Sequence, residues 1–243
     1  MEQPVPKGPL AVRWLGLELG TVRAGAITAA VAELKNAGTA PWRTESIKLA
    51  YHWLDERGNP IVWDGIRTAL ERPLDPADRL RAELRIRGPI PPGLYRLAVD
   101  LVDEGRLWFE EVGNARLERD LVVLPRIERA AEAIAYLADG VEPAPDWSQR
   151  VFEAHQEGYA VVAGSVEVET GLLRRAPREL EPYKPGGGRV PSFPHPLVCP
   201  SVVKGVEVEW TEVAGLPAVV PPRDRHSGEP WIFDGRIAVR ISR

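Results

Sequence analysis

Ile47-Lys48-Leu49-Ala50-Tyr51-His52-Trp53-Leu54 alternates along its length and sets Ile47, Leu49, Tyr51 and Trp53 on one face of an extended chain. The turn Asp55-Glu56-Arg57-Gly58-Asn59 follows, and Pro60-Ile61-Val62-Trp63 then reads as a short hairpin partner. Downstream, Leu80 to Arg87 alternates with its arginines outward, and Gly93 to Val102, Arg106 to Phe109 and Leu117 to Leu124 continue the series. Upstream, Leu10 to Leu19 and Ile27 to Leu34 are strands separated by a turn over Gly20 to Gly25, and Lys35-Asn36-Ala37-Gly38-Thr39 is a tight loop. Pro89, Pro91 and Pro92 fall between strands, where a missing N–H costs little. Short strands broken by turns every ~8–12 residues, without a helical period, predict an antiparallel β-sandwich over residues 10–125.

After Pro125 the texture changes. Ile127, Ala130, Ala131, Ile134 and Leu137 stand at helical spacing and predict a helix over about 126–138. A second helix over about 146–157 is opened by Asp146 or Ser148 and ended by Gly158. Strands are expected over about 159–169, 202–213, 216–220 and 231–241, the last folded into a hairpin around Asp234-Gly235. Between them, Arg174 to Pro200 is dense in proline and holds Gly186-Gly187-Gly188, which predicts a long loop. The fold class expected is thus mainly β: a disordered or extended segment 1–9, a sandwich 10–125, and a smaller α+β region 126–243 with long Pro/Gly-rich loops.

Composition narrows the function classes. A net charge of −4 argues against a general nucleic-acid binder, which needs a clustered basic face. The single cysteine, Cys199, excludes an intrachain disulfide framework. No apolar run approaches the ~20 residues of a membrane span, and the first residues lack the pattern of a secretory signal, so a cytoplasmic, soluble protein is expected. Scarce Asn, Gln, Met and Cys beside abundant Arg, Glu and Pro fit a thermophile, and a high-GC genome gives the same bias.

The ordered series Leu34-Lys35-Asn36-Ala37-Gly38-Thr39-Ala40-Pro41-Trp42, Tyr51-His52-Trp53-Leu54-Asp55, Asp64-Gly65-Ile66-Arg67-Thr68, Pro92-Gly93-Leu94-Tyr95-Arg96-Leu97 and Val102-Asp103-Glu104-Gly105 through Trp108-Phe109 resembles the immunoglobulin-like module appended to bacterial glycosyltransferases, methyltransferases and polysaccharide-export proteins. The resemblance implies a role in a cell-envelope glycan context. A second resemblance lies over about 130–170. Tyr136 to Trp147, a helix, and Gly158 to Val166 look like the middle of family-2-type glycosyltransferases of the GT-A fold. There the metal-binding acidic motif falls on Ala138-Asp139-Gly140, of which Asp139 matches. In that family a nucleotide-binding half precedes this stretch, and here a β-sandwich occupies its place.

Several residues could carry function. Trp14, Trp42, Trp53, Trp63 and Trp108 read as sandwich packing, or, for Trp42, Trp53, Trp63 and Trp108, as a platform for stacking sugar rings. His195 and Cys199, in the spacing His-x-x-x-Cys, read as two metal ligands or a nucleophile pair, or as a proline-braced loop. Gly186-Gly187-Gly188-Arg189 reads as a linker or an anion cradle. Asp224, His226, Glu229 and Asp234 read as acid–base or metal-binding groups, or as a polar hairpin of Arg–carboxylate pairs, and Asp139, His226 and Asp234 are the catalytic candidates. No cofactor is expected, and the partners expected are a glycan or a protein, with oligomerisation open. The function expected is a non-catalytic accessory or binding protein. The alternatives are a structural or assembly protein, and a glycosyltransferase-like enzyme using the second half.

Overall fold

The computed structural model describes residues 5–168, 196–222 and 228–241. These divide into two units, one of residues 1–22, 27–89 and 93–124, the other of residues 23–26, 90–92 and 125–243.

The first unit contains β1 (Val12–Leu19), β2 (Ile27–Asn36), β3 (Ile47–Leu54), β4 (Pro60–Val62), β5 (Thr68–Ala69), β6 (Arg79–Arg87), β7 (Gly93–Asp103), β8 (Leu107–Trp108) and β9 (Leu117–Val123). One sheet runs β1-β2-β6, and the other runs β4-β3-β7-β8 with β5 beside β3 and β9 beside β7. Every pairing is antiparallel. This division of strands between two sheets is that of an immunoglobulin-like sandwich. The period-two patterns explain it. In β6, Leu80, Ala82, Leu84 and Ile86 are buried while Arg79, Arg81, Glu83 and Arg85 are exposed.

The sandwich interior takes Leu34, Leu49, Tyr51, Trp53, Ile86, Leu97 and Leu101, all essentially inaccessible. Trp53 meets Tyr51 and Tyr95 edge to face and donates its indole N–H to the carbonyl of Arg87 at 2.8 Å. Trp42 packs edge to face on Phe109 at 5.3 Å. Trp42 and Trp53 are both 0% exposed, so these two of the four tryptophans proposed as a platform are core residues: Trp53 stands on the inward face of β3, and Trp42, in the connection after β2, is sealed against Phe109.

The second unit contains β10 (Ala133–Ala135), β11 (Val141–Pro143), α1 (Trp147–Glu157), β12 (Val161–Val168), β13 (Leu197–Val198), β14 (Ser201–Val203), β15 (Glu209–Val213), β16 (Leu216–Val220) and β17 (Trp231–Ile241). One sheet has the order β10-β14-β12-β17-β11 and a second the order β13-β16-β15. The β12–β17 pair is parallel, and its neighbours are antiparallel. Trp147, Val151 and Ala154 of α1 join Tyr159, Val162, Ile232, Ile237 and Val239 in one core cluster.

Three expectations are corrected here, and the first is the single strand over 202–213, which is two strands, β14 and β15, in different sheets because the turn after Val203 breaks it. The helix over 126–138 is absent: a 3-10 turn at Ala130–Glu132 leads into β10, whose Ala133, Ile134 and Ala135 pair with Val203, Val202 and Ser201. Alanine-rich local propensity loses to a strand partner some seventy residues away. The hairpin at Asp234-Gly235 is one continuous strand with a bulge, since Gly164 faces Asp234 while the next residue, Ser165, faces Ala238.

Candidate binding site

The outward face of the first unit's larger sheet carries the candidate site. Lys48, Ala50, His52 and Leu54 of β3 stand opposite Val102, Asp100, Ala98 and Arg96 of β7. β9 extends the face with Glu118 opposite Ala98 and Asp120 opposite Arg96, and β8 adds Trp108 opposite Val102. The loop from β4 to β5 folds over this face and brings Trp63, Asp64 and Arg67. Gly65 makes that fold possible. Its N–H donates to the carbonyl of Tyr51 at 3.0 Å, and a Cβ there would lie 2.6 Å from both the Tyr51 ring and that carbonyl.

The result is an aromatic stack. Trp63 lies nearly parallel on the imidazole of His52, centroids 4.1 Å apart, and Trp108 tilts against the same imidazole at 4.4 Å. Trp108 is buried with Ala50 and Val102, while Trp63 is 43% exposed. One indole face is therefore packed on His52, and part of the ring is open to solvent. The Arg67 guanidinium sits 4.5 Å from the centroid of Trp108 and pairs with Asp64 at 2.9 Å and Glu104 at 3.2 Å.

His52 is fully buried, and desolvation holds its pKa down at about 4. The ring is thus neutral near pH 7. Its Nδ1–H donates to the carbonyl of Trp63, since a carbonyl only accepts. Nε2 is then the unprotonated nitrogen, buried and without a hydrogen-bond partner. The bond to Trp63 fixes the loop backbone, so His52 supports the exposed indole from beneath and through its main chain.

Two strands from His52, in the row of Ala98 and Glu118, lies an open concavity of about 400 Å³ lined by Glu110, Asn114, Ala115, Arg116, Leu117 and Glu118. Arg116 is pinned between Glu110 and Glu118, each at 3.1 Å. Asn114 is buried and satisfied, accepting from Val12 N and donating to the carbonyls of Leu10 and Phe109. Asp100 is also fully buried. Desolvation raises its pKa to about 7, against the backbone N–H donors of Leu101 at 2.7 Å and Glu110 at 3.3 Å. This face offers an apolar ring surface edged by charge-assisted donors and acceptors, the combination that holds a polyhydroxylated ring.

The other described candidates, Asp139, Cys199, Glu229 and Asp234, belong to the second unit. Asp139 is exposed, and among the described residues no three His, Cys, Asp or Glu side chains converge as a metal site. Asp234 is held below the usual carboxylate range by Arg236, which grips it at 2.6–3.1 Å inside the β17 bulge. Glu229 pairs with the buried Arg126 at 2.7 Å. Cys199 is buried, and burial raises its thiol pKa. His195, Asp224, His226 and Gly186 to Arg189 lie outside the described residues.

His155 and Ser201 form a pair that sequence reading did not single out. Ser201 Oγ donates to His155 Nε2 at 2.9 Å, and His155 Nδ1–H donates to the carbonyl of Tyr159 at 2.8 Å. Both side chains are buried and the orienting group is a neutral carbonyl, so the pair is a satisfied core element. His52, Arg67 and Arg116 were missed as well. The one available signal was a histidine at an outward position of an alternating strand, between Tyr51 and Trp53.

No family model and no curated protein matches this chain. Among solved structures it is similar to the C-terminal domain of wzt, at 7% identity and a TM-score of 0.33, over 50% of this chain and 78% of that one. It is also similar to the ASH/PapD-like domain of human CEP192 (PapD-like domain 7), at 15% identity and a TM-score of 0.24, over 51% of this chain and 88% of that one.

Proposed function

We propose that the chain is a non-catalytic binding protein whose immunoglobulin-like unit holds a glycan on the outward face of its β3–β7 sheet. The observation that carries this reading is the half-exposed Trp63, stacked on a neutral, buried histidine and set beside Trp108. An indole supported in this way presents a flat apolar surface without having to be ordered on binding, which lowers the entropy cost of association. The Arg–carboxylate pairs around it supply donors and acceptors for hydroxyl groups.

A glycan array probed with the full chain and with Trp63→Ala tests the proposal. Retention of one or more glycans by the wild type, lost in the variant, is the expected result. An array on which nothing is retained, or on which the variant binds as well as the wild type, overturns it.

A second reading, assembly with other chains, is favoured by β15. All five of its residues are exposed, it is the last strand of its sheet, and it carries Trp210, 44% exposed and in contact with Tyr136. Light scattering at several concentrations tests it, and a strict monomer rejects it.

A further inference from the structure

Resting on the glycan reading above, we infer that the ligand is an uncharged saccharide of at least three sugar units, one stacked on Trp63 and the next but one in the cavity of Arg116, and that acidic polysaccharides are rejected. The position follows from register. His52, Ala98 and Glu118 lie in one row across β3, β7 and β9. Two interstrand steps put the cavity rim about 10 Å from the stack. A ring on Trp63 and a ring in the cavity therefore belong to one short chain.

The selectivity follows from charge. The described cations of this face are Lys48, Arg67, Arg96 and Arg116, and each is already paired. Lys48 meets Glu104 at 3.6 Å, and Arg67 meets Asp64 and Glu104. Arg96 meets Asp120 at 2.7 Å and Glu118 at 3.7 Å, and Arg116 meets Glu110 and Glu118. Five partner carboxylates thus answer four cations and leave the face net negative, so a uronate, sulfate or phosphate meets like charge beside every cation it approaches. A hydroxyl meets no such repulsion. It donates to a free lone pair of Glu118 or Glu110 and accepts from an Arg116 N–H while the ion pairs stay in place.

The test is native affinity electrophoresis of the full chain in gels containing dextran, laminarin or mannan, or alternatively alginate or polygalacturonate, at low and high salt. The wild type, Trp63→Ala and Glu118→Gln are compared, with circular dichroism confirming that each is folded. Retardation by at least one of the three neutral polymers, insensitive to salt and weakened at least tenfold in Trp63→Ala and severalfold in Glu118→Gln, is expected. If Trp63→Ala fails to fold, the exposed Glu118→Gln still reports on the cavity. Salt-sensitive retardation by alginate or polygalacturonate that depends on Trp63 would overturn the inference while leaving the glycan reading intact. Retardation by a neutral polymer that Glu118→Gln leaves unchanged removes the cavity subsite. Retardation by none of the five polymers sinks the inference and counts against the glycan reading together with an empty array.

Discussion

Asp100→Asn should change the sign of its effect on stability between pH 8 and pH 4. Asp100 is 0% exposed, and its pKa is raised from 3.8 to about 7 because desolvation outweighs the two backbone N–H groups it accepts from. A raised acid contributes stability that is complete below 3.8 and lost as pH rises through 7, because the ionised form is the one the fold penalises. At 1.36 kcal/mol per pKa unit, the buried charge costs the folded sandwich about 4 kcal/mol at pH 8. Asparagine removes that charge but presents an N–H to one of the two backbone donors, at about 1–3 kcal/mol. The variant should therefore be more stable than the wild type by about 1–3 kcal/mol at pH 8, and less stable by about as much at pH 4. Urea unfolding at the two pH values, read by hydrogen exchange of peptides from β3 and β7 labelled at a common pH, measures both differences. A difference that does not move with pH would refute the reasoning, because it would mean that Asp100 titrates normally in the fold.

His155, buried neutral with its pKa lowered to about 4, shifts the other way. The second unit should lose stability as pH falls from 6.5 towards 4, by up to about 3 kcal/mol from this group. Comparing the urea midpoints of peptides from α1 and β12 at pH 7 and 4.5, for the wild type and His155→Gln, checks it: the variant should have lost most of that slope. Trp63→Ala should cost less than about 1.5 kcal/mol in thermal unfolding, since nearly half of the ring is exposed, while abolishing glycan retention. Gly65→Ala should displace the loop that carries Trp63 and Arg67, because its Cβ would lie 2.6 Å from backbone, so glycan binding falls with the Trp63 fluorescence shifted. Ala214→Asn should stabilise the two-residue turn between Val213 and Leu216, where Ala214 has φ 53 and Gly215 φ 81, by about 0.5–1 kcal/mol in hydrogen exchange of β15 and β16.

The alternation over Ile47–Leu54, Leu80–Arg87 and Gly93–Val102 determined by itself that the first half is a sandwich and which face of each strand is inward. Period two is a local property, and burial of one face follows from it. The same alternation was silent on which tryptophans are free. Trp42 and Trp53 are sealed in the core, and Trp63 is the exposed one, a distinction that depends on where a loop crosses the sheet. Outward parity alone would have left His52 in water. It is buried because Trp63, eleven residues on, folds back over it, and Gly65 lets the chain come that close. In the second half, local propensity read residues 126–138 as a helix, and pairing with β14 made part of that stretch a strand. Strand partners, loop crossings and the desolvation that moves Asp100, His52 and His155 from their ordinary pKa values are all made between residues distant in the chain, and the tertiary structure alone decides them.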